Sequence, residues 1–366
     1  MASVKDWLEG ARIRTLPASI APVIIGGGIT FAMGRFSILL TLLAAGVALF
    51  MQIGVNFAND YSDGVRGTDE YREGPPRLTG GGKAAPGMVK VAAFVSFGIA
   101  CAFGIALVWL SGYWWLLALG AAALLAAWFY TGGKHPYGYA GLGELFVLIF
   151  FGYMATIGTV YTQTGKAPLA AWLLATGIGL IACALLMVNN IRDIPSDAKA
   201  GKRTLAVRLG EKKARWAYYA LLAVPVVLAS AMNLWGYQVL FGMLAMLVWV
   251  IYLSRPVVNG AKGAALLPVL RNTGLFELVY AVVVAAGLVF TTLFPDFYWS
   301  IAGWAIVLVA WVIWMLVEIA SAVARSRRKA AIPAAASPEA AAAAEPEVSS
   351  DSEAAPPAAL NTPENS

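Results

Sequence analysis

Two short acidic clusters hold the residue types that can do chemistry in this chain. They are Asn56-Phe57-Ala58-Asn59-Asp60-Tyr61-Ser62-Asp63 and Asn189-Asn190-Ile191-Arg192-Asp193-Ile194-Pro195-Ser196-Asp197. Asn56 and Asp60 are four residues apart, Asp60 and Asp63 three, and Asp193 and Asp197 four, so on a helix each set shares one face. Each cluster closes a long apolar run in a chain that is only 13% charged. Several carboxylates on one helical face beside a membrane are costly unless cations neutralise them, which points to bound metal and a polyanionic ligand. Carboxylate and amide oxygens with no Cys or His nearby suit Mg2+ or Mn2+ rather than zinc. The single histidine, His135, cannot anchor a His-based centre. Asp60, Asp63, Asp193 and Asp197, with Asn56, are the candidate metal ligands, and two such clusters facing one another can hold a diphosphate through bridging ions.

Basic residues flank both clusters. Arg66, Lys134, Arg192, Lys202 and Arg203 can neutralise the remaining phosphate charge and stabilise a departing diphosphate. Asn190, inside the second cluster, is a further candidate substrate contact. Tyr61, Tyr130 and Tyr153 are candidates for shielding a carbocation and keeping water from it. Structural roles compete with these: Asn and Asp commonly cap helices or make turns, and Lys202, Arg203 and Lys212 equally suit a purely topological role. Two clusters on one side of the membrane, each followed by Gly and basic residues, favour chemistry over capping. Glu144 and Glu277 open predicted helices, where an acid complements the dipole, and are read as caps.

The elements that position the clusters are membrane helices. The chain has 366 residues, is 60% hydrophobic and has a mean hydropathy of +0.72, so its class is an all-α polytopic membrane protein. Apolar stretches of membrane-spanning length lie at about 17–34, 36–59, 88–111, 113–131, 142–163, 167–190, 214–234, 236–254, 273–293 and 298–322, predicting ten helices. With the N-terminus in the cytoplasm, all of the 26 Lys and Arg except Arg35 and Lys166 fall in cytoplasmic segments. The net charge of +6 is then a topology signal and calls for no nucleic-acid partner. Both clusters land on the cytoplasmic side, at the start of the two long charged loops, about 60–87 and 191–213. The loops' similar order of acidic, Gly and basic residues suggests a weak internal duplication that sets the clusters across a central cavity. Cys101 and Cys183 fall within spans and serve packing. The N-terminal stretch is read as a retained helix, not a cleaved signal. Residues 326–366, rich in Ala, Pro and Glu, predict a disordered cytoplasmic tail.

The motifs Asn56-Phe-Ala-Asn-Asp60-Tyr-Ser-Asp63-Gly-Val-Arg66, Tyr130-Thr-Gly-Gly-Lys134, Asn189-Asn-Ile-Arg-Asp-Ile-Pro-Ser-Asp197 and Gly201-Lys-Arg-Thr-Leu-Ala-Val-Arg-Leu-Gly210 resemble those of the UbiA superfamily of intramembrane prenyltransferases. Their wording, with Gly10-Ala-Arg-Ile-Arg-Thr-Leu-Pro17, is similar to the menaquinone branch. The resemblance runs from about residue 5 to 293. It implies a bundle of nine transmembrane helices in residues 1–295, to which this chain adds a tenth helix within 296–325. It also implies Mg2+-dependent transfer of a polyprenyl chain from polyprenyl diphosphate to 1,4-dihydroxy-2-naphthoate, with decarboxylation, giving demethylmenaquinol. The implied location is a bacterial plasma membrane, crossed many times, with the site facing the cytoplasm. Alternatives are another acceptor of the superfamily (4-hydroxybenzoate or haem), a CDP-alcohol phosphotransferase, or a cation-coupled transporter. The spacing downstream of Asp60-x-x-Asp63-Gly64 departs from the phosphotransferase signature, and the position of the carboxylates at helix ends argues against the transporter.

Overall fold

The computed structural model describes residues 2–13, 16–68 and 77–295; the expected tenth helix and tail lie outside the described residues. Every regular element among them is helical. In chain order these are α1 (Val4–Gly10), α2 (Leu16–Ala32), α3 (Ile38–Val65), α4 (Pro86–Ser111), α5 (Leu116–Phe129), α6 (Gly143–Val147), α7 (Ala155–Thr164), α8 (Leu169–Lys199), α9 (Leu205–Leu209), α10 (Glu211–Ser230), α11 (Leu240–Val258) and α12 (Leu267–Leu293). A π-helical stretch, Leu148–Met154, joins α6 to α7 into one continuous segment. Six segments are long and apolar enough to cross a membrane: Ile38–Val65, Pro86–Ser111, Gly143–Thr164, Leu169–Lys199, Glu211–Trp235 and Gly263–Leu293. Three shorter apolar helices, Leu16–Ala32, Leu116–Phe129 and Gly242–Val258, coincide with three more of the expected spans.

Local chemistry sets the ends. The Ser3 hydroxyl and the Asp6 carboxylate exchange hydrogen bonds with each other's backbone N–H as a capping box that starts α1. Ser37 caps α3 by accepting from Leu40 N at 3.4 Å, and Pro86 opens α4, where a missing N–H costs nothing. Gly112, at φ 77°, ends α4 in the left-handed conformation that glycine tolerates best.

Three boundaries differ from the sequence reading, each with a functional consequence. α3 continues to Val65 and α8 to Lys199, so both acidic clusters are helical throughout instead of beginning loops. α8 tolerates Pro195 near its end, where only one interior backbone bond is forfeited. α12 starts at Leu267, so Glu277 lies ten residues inside the helix and caps nothing.

α8 is the central helix, with buried residues from Ala171 to Asp193, and it packs against α10, α12, α2 and the π stretch. Close approach depends on small residues, as expected where lipid supplies no hydrophobic contrast. A Cβ on Gly152 of the π stretch would lie 2.9 Å from Gly179 Cα and 2.8 Å from Ala175 O on α8. Replacing Gly152 by Ala overpacks this crossing, at a cost of about 1–3 kcal/mol.

Candidate active site

The end of α3 delivers the first cluster to the interior: Asn56, Asn59, Asp60 and Asp63 are all buried. Asp60 is held by main chain. Its Oδ2 accepts from Leu78 N at 2.9 Å and its Oδ1 from Thr79 N at 2.8 Å, so one carboxylate pins the part of the α3–α4 connection that leads into α4. Asp63 is held by side chains. Arg77 Nη1 reaches its Oδ2 at 2.7 Å, Lys202 Nζ its Oδ1 at 3.2 Å, and the Tyr139 hydroxyl donates to the same Oδ1. Asn59 Oδ1 accepts from the Thr131 hydroxyl at 2.8 Å, and Asn56 Nδ2 donates to Ala11 O at 3.0 Å, tying the N-terminal segment to α3.

The second cluster, at the end of α8, is organised differently. Arg192 clamps its neighbour Asp193 through Nε and Nη2, both at 2.6 Å, and Nη2 also donates to Asn189 Oδ1 at 2.9 Å. Such two-pronged pairing fixes both planes. Asn190 Nδ2 donates to Glu144 Oε1 at 3.2 Å. Asp197 stands one turn beyond Asp193, and its carbonyl accepts from Lys202 N at 2.8 Å, which folds the loop back toward Asp63.

Both clusters line one cavity of about 1650 Å³. Its polar head is formed by Asn56, Asp60, Asp63, Arg77, Asn190, Arg192, Asp193, Asp197 and Lys202. Along α3 the lining changes to Met51, Ala48, Val47 and Ala44, with Gly104 and Val108 of α4, Leu116 to Leu124 of α5, and Phe146 and Phe150 opposite. From Asp63 to Ala44 the helix rises about 28 Å, at ~1.5 Å per residue. A charged head and an apolar body of that length suit an amphiphile with an anionic end.

Of the residues singled out by sequence, Tyr130 and Tyr153 line this cavity, Tyr153 from within the π stretch and accepting from the Thr176 hydroxyl at 3.2 Å. Four others lie off it. Tyr61 stacks on Trp128 with centroids 6.3 Å apart, and Lys90 Nζ lies over the Tyr61 ring, 5.6 Å from its centre. Arg66 donates to the carbonyls of Thr131 and Gly133, bracing the turn after α5. Lys134 is exposed on that turn. Arg203 is exposed, and it is its backbone N–H that makes a contact, donating to Tyr139 O at 2.9 Å. Residues the spacing did not flag take up positions in the lining: Arg12, Arg77, Tyr139 and Arg271. Arg77 and Arg271 were visible only as members of basic segments, and Arg12 also as part of the motif Gly10-Ala-Arg-Ile-Arg-Thr-Leu-Pro17. Arg12 holds a positive φ of 56°, a costly conformation for a side-chain-bearing residue. Burial, and then the charge of Asp63, raise the Tyr139 phenol above its ordinary pKa, so it stays a proton donor to that carboxylate.

The donor set fits a hard divalent cation: four carboxylates and amide oxygens, with no thiolate or imidazole. Among the described residues no three acidic, His or Cys groups converge on one point. Mg2+ matches such paired ligands, since it takes one or two protein carboxylates and completes its shell with phosphate oxygens and water.

Residues 19–266 match the UbiA prenyltransferase family. The chain is 46% identical to the 1,4-dihydroxy-2-naphthoate octaprenyltransferase of Mycobacterium tuberculosis over 290 residues, spanning 79% of this chain and 99% of that protein. It is 38% identical to the Escherichia coli protein of the same name, over 75% of this chain and 91% of the other. Among solved structures, a UbiA homologue from Aeropyrum pernix shares the fold with a TM-score of 0.55 at 19% identity, covering 75% of this chain and 97% of its own. A UbiA homologue from Archaeoglobus fulgidus bound to DMAPP and Mg2+ matches with a TM-score of 0.55 at 16% identity, covering 77% and 99%. The sequence match over most of its length and the shared helical fold make this chain a member of the UbiA prenyltransferase family, and so a prenyltransferase.

Proposed function

We propose that this enzyme transfers a polyprenyl chain from its diphosphate to 1,4-dihydroxy-2-naphthoate, with loss of the acceptor carboxylate as CO2, giving demethylmenaquinol. The observation that carries the reading is the single cavity with a carboxylate-and-cation head and a long apolar body, together with relatives named for this acceptor. All nine apolar helices cross the bilayer in this reading, the head faces the cytoplasm of a bacterium, and residues 1–295 form the catalytic unit.

Asp60, Asp63, Asp193 and Asp197 would hold the divalent cation, Mg2+ or Mn2+. When bound, that ion supplies positive charge against the diphosphate oxygens and favours departure of the diphosphate. Lys202, Arg77 and Arg192 line the same head and offer donors to oxygens that the ion leaves uncovered. The apolar wall from Met51 to Ala44 receives the prenyl chain. Tyr130, Phe146 and Phe150 line the cavity below the head, where they exclude water and stabilise cationic character at the allylic carbon; Tyr153, bonded to Thr176 about 21 Å along α8 from Asn190 at ~1.5 Å per residue, borders the apolar body instead. The allylic C–O bond breaks with its electron pair going to the diphosphate. The new C–C bond forms at the ring carbon bearing the carboxylate, and the C–CO2 bond pair then returns to the ring. Arg66 acts at a distance, through the turn that carries Thr131.

The test is purified protein in detergent with Mg2+, a polyprenyl diphosphate and 1,4-dihydroxy-2-naphthoate labelled in the carboxyl group. Prenylated product with one equivalent of released label is expected, abolished by EDTA and restored by Mg2+. Product with 4-hydroxybenzoate and none with the naphthoate would overturn the acceptor assignment.

A further inference from the structure

Glu277 is fully buried in the interior of α12, and neither of its carboxyl oxygens has a hydrogen-bond partner. It nevertheless borders the cavity, among Leu270 of its own helix and Ala182, Leu185 and Leu186 of α8. The register of the two helices fixes its depth. Gly274 faces Leu185, and the Tyr280 hydroxyl faces Gly177, so Glu277 lies level with Ala182. Ala182 is eight residues before Asn190, about 12 Å along α8 from the polar head at ~1.5 Å per residue. A carboxyl buried in a membrane helix without a partner is expensive to keep, and such groups mark ligand contacts. Glu144, the other buried acid near α8, differs in having one oxygen engaged by Asn190.

The chemistry at Glu277 selects among the ligands of this cavity. A diphosphate is repelled by a carboxylate and needs cations, which cluster at the head. A prenyl chain has no polar group to offer. A flat aromatic ring with a hydroxyl satisfies both surroundings: its faces meet Leu185, Leu186 and Leu270, and its O–H meets a carboxyl that presents an acceptor oxygen in either protonation state. We propose that Glu277 binds the aromatic acceptor, accepting a hydrogen bond from a ring hydroxyl and thereby setting which ring edge faces the prenyl donor. This rests on the reading of the enzyme as one that prenylates a hydroxylated ring.

The full chain in detergent tests this through the two KM values of the wild type, Glu277→Gln and Glu277→Leu. Glu277→Leu is expected to raise the acceptor KM about 10- to 100-fold, since a site built to bond a hydroxyl suffers most when that bond is lost. The prenyl diphosphate KM should stay within about twofold, and Glu277→Gln, which keeps an acceptor oxygen, should stay near wild type. An unchanged acceptor KM in folded Glu277→Leu overturns the proposal, as does an equal rise in both KM values. Should Glu277→Leu fail to fold, acceptors lacking one ring hydroxyl are tested on the wild type and on Glu277→Gln. One of the two deletions must then weaken acceptor binding to the wild type, and if neither does the proposal falls. A wild type that uses 4-hydroxybenzoate but not the naphthoate overturns the acceptor assignment alone, and the same variants assayed with that ring still decide Glu277. A wild type that prenylates no hydroxylated ring overturns both.

Discussion

Lys202 Nζ sits 3.2 Å from Asp63 Oδ1 and 4.6 Å from the centre of the Tyr139 ring, which joins the loop after α8 to the end of α3. Both charged side chains are largely removed from solvent, so removing either one leaves the other buried and uncompensated, which is costly. Arg77 holds the other Asp63 oxygen, and this carboxylate is therefore braced from two loops far apart in sequence.

Because Lys202 also lines the cavity head, Lys202→Met should lower kcat/KM for the prenyl diphosphate about 10- to 100-fold, the equivalent of one hydrogen bond to a charged group at ~1.5–3 kcal/mol. Steady-state kinetics at saturating acceptor measures this. A change below about twofold would mean that Lys202 serves topology only.

Asp60→Ala and Asp193→Ala should each reduce turnover by about a thousandfold or more, with helical content by circular dichroism unchanged. Asp60→Ala has a second signature, because Leu78 and Thr79 lose the acceptor of their N–H groups. Hydrogen exchange at those two amides should accelerate, whereas Asp193→Ala should leave them protected. Near-wild-type turnover in either variant would refute the roles given to these carboxylates.

Arg66→Ala separates support from contact. Its guanidinium braces the carbonyls of Thr131 and Gly133 and lies outside the cavity lining. The expected outcome is a Tm lower by about 2–4 °C in detergent with both KM values little changed. A selective rise in the prenyl diphosphate KM would place Arg66 on the substrate instead.

The N-terminal helix α1 is clasped to the segment before α4 by Lys83 Nζ, 2.5 Å from Asp6 Oδ1. The Lys83 hydrogen bond, then those from Ser3, hold the Asp6 carboxyl below its ordinary range, while the bond to Asp6 raises Lys83. A depressed acid contributes stability above its unfolded pKa of ~3.9 and loses it as pH falls through the folded value. A raised lysine contributes below ~10.4 and loses it as pH rises further. The clasp should hold from about pH 4 to pH 10 and loosen outside that window. Limited proteolysis of α1 against pH reads this, and Asp6→Asn should abolish the acid-side change.

Much of the candidate site's arrangement was legible because it is local. The spacing of Asn56, Asp60 and Asp63, and of Asp193 and Asp197, is converted to a shared face by helix geometry alone. The hard-oxygen character of those side chains follows from composition, and the apolar runs announce the spans. Boundaries were less legible: apolar periodicity ends where the polar clusters begin, although the backbone of α3 and α8 stays helical through them because tertiary partners satisfy the side chains. Glu277 was misread as a cap for the same reason, since the polar start of α12 carries no membrane-like signal.

The sequence by itself determined the class of the molecule, the uneven distribution of its basic residues among the connecting segments, the two acidic faces and the wording that resembles one family. Those features reside in residue type and in separations of three or four positions, which a helix translates directly into space. Only the tertiary structure decided that Arg77, Lys202 and Tyr139 converge on Asp63, that Arg66, Lys134, Arg203 and Tyr61 stand off the cavity, and that Glu277 borders it, buried and unpartnered. Such pairings join residues separated by 14, 76 and 139 positions along the chain, and they depend on how rigid helices and their loops pack, which no local spacing encodes.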